Sequence, residues 1–149
     1  MTKILVAEDS ITQQELIREF LKDMQLQLIF AFNGVEALSL VKSECPAIVI
    51  LDIVMPRMNG YEVCRQLKGK NFPEKPAVVM YSTKAEKCDF YWAKKQGADA
   101  YVSKLDRPQV LIDTIEQLLR QADNLQEANR VRMAQLPTAW YRHEAKIAV

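Results

Sequence analysis

Long hydrophobic runs are missing from this chain. The longest unbroken apolar stretches, Ile4 to Ala7 and Ala47 to Leu51, fall far short of the roughly 18 residues that cross a bilayer, so no membrane insertion is expected. Glu8 and Asp9 arrive too early for a signal-peptide core, and a cytoplasmic location is expected. Charge of one sign is also missing: 20 Lys and Arg against 19 Asp and Glu leave a net charge of +1. No global positive field is available to hold nucleic acid, and direct nucleic-acid binding is not expected. Cysteine is scarce, with Cys45, Cys64 and Cys88 in no C-x-x-C arrangement and the single histidine, His143, far from them in sequence. That argues against a disulfide framework or zinc site and for three buried or half-buried thiols. The chain has no G-x-x-x-x-G-K-[ST] loop and no G-x-G-x-x-G, so nucleotide binding has no support. One histidine in the tail leaves no Ser–His–Asp set.

What is present is a globular composition, 49% apolar and 26% charged over 149 residues, enough for one ordinary domain and a short extension. Short β-type runs alternate with helical patterns. Lys3–Ala7 reads as a strand, and residues 11–24 place Ile17, Phe20, Leu21 and Met24 on one helix stripe. Gln27–Phe32 is β-like, and Val35–Lys42 reads as a helix after Asn33–Gly34. Ala47–Leu51 is continuously apolar, as in a strand buried on both faces of a parallel sheet. A loop with Pro56 and Gly60, a short helix near Tyr61–Lys68 and a strand over Ala77–Tyr81 follow. A helix over 85–96 is closed by Gly97, a C-cap glycine. Tyr101–Ser103 is a fifth strand, and a last helix begins near Pro108 with Leu111, Ile115, Leu118, Leu119 and Ala122 on one face. Five strands separated by helices predict an α/β fold with a parallel sheet.

Ligands of such sheets sit outside the carboxyl ends of the strands. Those ends carry Glu8 and Asp9, then Asp52, then Ser82 and Thr83, then Lys104. Three neighbouring carboxylates repel one another unless one takes up a proton or a cation binds. The donors are all hard oxygens, which favours magnesium over zinc. Lys104 would neutralise one phosphoryl oxygen as a point charge and Ser82 could donate a hydrogen bond to another. Asp52 could then serve as a nucleophile that holds an aspartyl-phosphate.

The segment from Asp52 through Met55–Pro56 and Asn59–Gly60 to Glu62 resembles the signature of two-component response-regulator receiver domains. Glu8–Asp9 after a first strand, Asn33 to Leu38, Ser82 after Val78–Tyr81, and Lys104 after Tyr101–Ser103 match that family in order and spacing. The resemblance covers residues 1 to about 122 and is of the chemotaxis, single-domain type. It implies a doubly wound, flavodoxin-like five-stranded sheet of order 2-1-3-4-5. It implies that Asp52 accepts phosphate from a histidine kinase or small phosphodonor, with Asp52, Lys104 and Ser82 carrying the transfer. It implies magnesium held by Glu8, Asp9, Asp52 and the backbone carbonyl of Val54, and Ser82 and Tyr101 as the switch pair. Signalling would then run by contact with a downstream protein, through the face made by the helix over 85–96, the fifth strand and the last helix. The chain would be no enzyme beyond self-catalysed transfer to Asp52 and slow loss of the phosphoryl group.

Four positions depart from the family. Leu105 follows Lys104 where proline is usual, so a trans Lys–Leu bond is expected. Thr83 replaces a smaller residue, which narrows access to Asp52. Val54 and Lys84 stand where the family tunes phosphate loss, and an apolar Val54 cannot orient an attacking water.

Phe90, Tyr91 and Trp92 are consecutive on one predicted helix, so at least one faces solvent. Phe90, Trp92 and Tyr101 are the candidate partner face. Residues 123–149 hold no strand pattern. Ile115, Leu118, Ala122, Leu125, Asn129 and Leu136 fit a heptad seam that Arg132 interrupts. This segment is a candidate for pairing two copies into a homodimer, for folding back, or for ordering on a partner, with a helix break expected at Asp123–Asn124. Trp140 and Tyr141 beside Arg142 are either an anchor of that kind or a disordered end. Competing readings are a phosphate-independent receiver-type interaction module, a regulator that reaches DNA through a partner, and a phosphatase using Asp52, which would want a second acid where Val54 stands.

Overall fold

A computed structural model gives the structure of this protein and describes residues 1–136. The chain divides into two units, Met1–Ile115 and Glu116–Val149. The first unit holds five strands: β1 (Thr2–Ala7), β2 (Leu26–Ala31), β3 (Ile48–Leu51), β4 (Ala77–Ser82) and β5 (Ala100–Ser103). The helices between them are α1 (Ile11–Phe20), α2 (Gly34–Glu44), α3 (Gly60–Leu67) and α4 (Lys87–Lys95), and α5 (Pro108–Ala134) follows the last strand. The sheet order is β2-β1-β3-β4-β5 and every pairing is parallel. This is the doubly wound fold expected from the strand–helix alternation.

Burial follows the strand patterns. All four residues of β3 are buried, as are the last four of β1 and the last five of β4. These central strands are covered on both faces, which is why their sequences are continuous runs of Ile, Leu and Val instead of alternating patterns. Leu5, Val49, Leu51, Val63, Leu67, Val78 and Met80 lie in the main apolar cluster.

Polar caps set the helix starts. Ser10, Asn33 and Asn59 each accept a hydrogen bond from a backbone N–H three residues on, at 3.3, 2.8 and 3.0 Å, satisfying one orphan donor of α1, α2 and α3. Glu86 and Asp89 form a reciprocal capping box at the start of α4, so this helix begins at Lys87, later than residue 85. Gly97, with φ of +98°, follows its end, as the C-cap reading anticipates.

Helix α1 is shorter than its apolar stripe predicts. It stops at Phe20, and Leu21–Met24 form a tight turn closed by Met24 N–H to the Leu21 carbonyl at 3.1 Å. The buried Leu21 side chain anchors this turn while the chain redirects into β2. The two exposed thiols also depart from expectation: Cys64 is buried, but Cys45 and Cys88 are exposed. Cys45 is the left-handed cap of α2, at φ 47°, and Cys88 lies in the solvent-facing first turn of α4. The peptide bonds of the described residues are all trans, Lys104–Leu105 included.

In the second unit, α5 continues through Asp123–Asn124 without the expected break. Both side chains are exposed, so neither is drawn into a competing cap, and an exposed Asp or Asn costs a helix only a few tenths of a kcal/mol, about 0.5–0.7 at most. No helix of the described residues is long and apolar enough to cross a membrane. Trp140, Tyr141, Arg142 and His143 lie outside the described residues.

Candidate functional site at the carboxyl edge of the sheet

Parallel pairing brings the ends of β1, β3, β4 and β5 to one edge. β1 runs directly into Glu8, which is buried, and Asp9, which is exposed. The Glu8 amide donates to the Ala31 carbonyl at 2.9 Å. Its own carbonyl accepts from the buried Gln14 side-chain amide at 2.7 Å, and its carboxylate accepts from the Ser10 amide at 3.2 Å. Glu8 is therefore fixed from β1, β2 and α1 together.

Asp52 follows β3, its amide bonded to the Ala7 carbonyl at 3.1 Å. Behind it the chain reverses through Arg57, whose φ is 68°, and returns at Gly60. A Cβ on Gly60 would lie 2.2 Å from the Asp52 carbonyl oxygen. Glycine is required there because α3 starts against the Asp52 backbone itself.

Lys104 closes the site from the loop after β5. Its Nζ donates to Glu8 Oε2 at 2.5 Å and to Asp52 Oδ2 at 2.9 Å, with only 9% of its side chain exposed. Burial alone would pull the Lys104 ammonium down, but the bonds to Glu8 and Asp52 outweigh it and hold the group above its ordinary value. Burial pushes the Glu8 carboxyl up, Lys104 opposes this, and the nearby Asp52 charge adds to it.

Oxygens of Glu8, Asp9 and Asp52 all lie within 4.8 Å of one another. Among the described residues, three carboxylates face one ammonium, and every donor is a hard oxygen. This arrangement fits a hard divalent cation, because such an ion offsets the charge that Lys104 leaves unbalanced. Val54, two residues past Asp52, is 59% exposed at the rim.

The Ser82 side chain is buried at the end of β4, and its Oγ accepts from the Lys84 amide at 3.3 Å. The carbonyl of the same Lys84 accepts from the Tyr101 hydroxyl. Tyr101 is half-buried, its ring edge-on to Phe90 with centroids 4.5 Å apart. Ser82 and Tyr101 thus bond to one residue of the β4–α4 loop, one at its amide and the other at its carbonyl, a connection that spacing alone does not reveal. Phe90, Tyr91 and Trp92 are all exposed, more than the single residue that helix geometry demands. Lys95 Nζ lies over the Tyr91 and Trp92 rings at 5.7 and 5.4 Å.

Two supporting residues escaped the sequence reading. Gln14 holds the Glu8 carbonyl; its signal was a polar residue three and seven positions before the buried Ile17 and Leu21. Tyr61 donates to Asp89 at 3.0 Å and ties α3 to the cap of α4. Nothing local in the sequence marks that pair.

The family model described as the response regulator receiver domain matches residues 4–116. The chain belongs to the response regulator receiver family. Protein PilH of Pseudomonas aeruginosa is 34% identical over 119 residues, which is 80% of this chain and 98% of that protein. The probable transcriptional regulator ycf27 of Porphyra purpurea is 35% identical over 123 residues, 83% of this chain but 49% of that protein. This chain therefore spans about half the length of several curated relatives that it matches. Among solved structures, the signal receiver domain of a signal transduction histidine kinase from Syntrophus aciditrophicus superposes with a TM-score of 0.74 at 31% identity. It covers 81% of this chain and 92% of that one. The chemotaxis protein CheY4 of Vibrio cholerae shares the fold, with a TM-score of 0.72 at 24% identity over 79% of this chain and 98% of that one. Receiver domains are regulatory modules of two-component signalling, and the acidic cluster of this receiver could hold a metal ion.

Proposed function

We propose that this receiver accepts a phosphoryl group on Asp52 from the phosphohistidine of a histidine kinase, or from a small acyl phosphate. The single observation that carries this reading is the pairing of Lys104 with both Glu8 and Asp52 inside a cluster of three carboxylates at the carboxyl edge. In the transfer an Asp52 carboxylate oxygen attacks phosphorus, the donor's N–P or O–P bond breaks, and the donor leaves as free imidazole or carboxylate. Lys104 is placed to offset charge on the phosphoryl oxygens, and the Ser82 hydroxyl to donate a hydrogen bond to one of them. Glu8, Asp9, Asp52 and the Val54 carbonyl would hold magnesium, which when bound neutralises charge on the transferring group. The pocket of about 350 Å³ beside Lys104, lined by Gln13, Leu16, Phe20, Tyr81, Thr83 and Leu105, offers apolar surface against which the donor's helix docks.

Phosphorylation draws the Ser82 hydroxyl from the Lys84 amide toward the phosphoryl group. The loop that Lys84 shares with Tyr101 is released, and Tyr101 turns inward from Phe90. The face carrying Phe90, Trp92 and Tyr101 then changes its affinity for a downstream protein. Residues 1–122 act as the receiver and 123–149 as an extension, in the cytoplasm where kinase and target meet. The test is phosphotransfer from a purified phosphohistidine kinase domain. Label should move to the parent in magnesium and should not move to Asp52→Asn. Equal labelling of Asp52→Asn would overturn the assignment.

A further inference from the structure

Helix α4 buries only Ala93. At about 100° per residue, Lys87, Tyr91, Lys94 and Lys95 fall on one arc of about 100° that faces away from Ala93. Phe90, against Tyr101, flanks this arc on one side and Trp92 on the other. Tyr91 is 59% exposed, Trp92 47%, and the three lysines are exposed with them. Among the described residues, no carboxylate pairs with Lys87, Lys94 or Lys95. The positions one turn before Lys94 and Lys95, where a helix places a pairing acid, hold Phe90, Tyr91 and Trp92. Helices α1, α3 and α5 each carry such a pair: Glu15–Arg18, Glu62–Arg65 and Glu127–Arg130. The acids at the start of α4 are engaged elsewhere, Glu86 in the capping box and Asp89 with the Glu86 amide and the Tyr61 hydroxyl. Lys94 and Lys95 suit the negative end of the helix, but Lys87 sits at its positive end, where a cation is unfavourable. Helix stability therefore does not account for the set.

We infer that this ridge binds an acidic segment of a partner protein, one that carries an apolar side chain between its carboxylates. The inference names the chemistry of the downstream partner proposed above and rests on that reading. Unpaired ammonium groups with no acid on their arc attract carboxylates and repel a cationic partner. Between them Tyr91 and Trp92 offer open aromatic surface, the residue types that anchor protein interfaces. Lys95 lies over both rings, so a carboxylate reaching its ammonium brings the adjoining apolar side chain onto the rings. Lys87 and Lys94 stand two turns apart, about 10–11 Å along the axis. A partner helix matches that spacing with acids two turns apart, and an extended segment with acids about three residues apart. The ridge holds no arginine and the whole chain carries a net charge of +1, which disfavours a nucleic-acid backbone as the occupant.

The test is selection from a random peptide library, about 12 residues long, on the immobilised full chain without any phosphodonor. Enriched peptides should carry more Asp and Glu than the unselected library, with an apolar residue between them. One enriched peptide is then titrated against the chain carrying Trp140→Phe, which leaves Trp92 as the reporting fluorophore. Lys94→Glu together with Lys95→Glu should weaken binding about tenfold or more, and Lys87→Glu several-fold. The same double variant should take up the peptide remade with lysine at each acid, which the parent rejects. Tyr91→Ala should also weaken binding about tenfold. Lys70→Glu makes the same charge change at an exposed lysine before β4 and should leave binding unchanged. Asp52→Asn should bind the peptide as the parent does, so this contact and phosphotransfer fail independently. Circular dichroism confirms equal helix content in each variant. A selection without acidic enrichment overturns the inference, and so does an enriched peptide indifferent to the α4 substitutions. Tighter binding of a single-stranded oligonucleotide or of anionic lipid vesicles than of the enriched peptide overturns it equally.

Discussion

Replacing Lys104 with methionine removes the ammonium that, among the described residues, bonds to the carboxylate cluster, while keeping an apolar stem of similar length. Lys104 is 9% exposed, and its partners Glu8 and Asp52 are 3% and 12% exposed. Breaking a buried pair by removing one partner costs about 3–5 kcal/mol, because the other charges stay buried and unpaired. With a urea slope of about 2 kcal/mol/M, that moves the unfolding midpoint down by about 2 M. Two effects bound the loss. Burial raises the Glu8 carboxyl, so the native state takes up this proton at a higher pH than the unfolded chain does. Lowering the pH toward 5 therefore favours the native state through Glu8, and the deficit of the variant shrinks there. Magnesium should also narrow it, since the variant's carboxylates have no ammonium to displace. A ligand at about 100 times its dissociation constant contributes about 2.7 kcal/mol. The assay is urea unfolding followed by circular dichroism, parent against Lys104→Met, with and without magnesium. An unchanged midpoint without metal, or equal stabilisation of the two proteins by magnesium, would refute the reasoning.

Two other outcomes follow from side chains already described. Val54→Asn should shorten the lifetime of phosphorylated Asp52 by several-fold, about tenfold at most, since an amide at the rim can orient water where valine cannot. Decay at the parent's rate or slower counts against that account. Burial pushes the Cys64 thiol up from 9.0 to about 11. The unfolded thiol therefore ionises first, and the native state loses stability as pH rises from 9 toward 11. At most about 2–3 kcal/mol is lost through this group. The difference in unfolding free energy between the parent and Cys64→Ala should carry that slope, and parallel pH profiles would rule it out.

The four residues of the central cluster were legible because each directly follows a strand, and a parallel sheet leaves strand ends only one edge to share. Glu8, Asp9, Asp52 and Lys104 meet there as their positions after β1, β3 and β5 dictate. The sequence marks Gly60 as a loop residue, but the reason for glycine there, the Asp52 carbonyl lying where a Cβ would be, is a contact that only the folded chain creates. The same holds for Tyr61 with Asp89 and for the Lys84 residue held between Ser82 and Tyr101. The unbroken α5 shows the opposite failure. Asp123 and Asn124 favour caps, but that preference matters only when the side chain can reach a free backbone group, and here both are exposed to solvent.

The central claim is that Asp52 is the acceptor. Mass spectrometry of the chain after incubation with acetyl phosphate and magnesium tests it directly. One phosphoryl group should appear, fixed by reductive trapping to the peptide that holds residue 52, and it should be missing from Asp52→Asn. A chain that gains no phosphoryl group, or gains it on another side chain, contradicts the account.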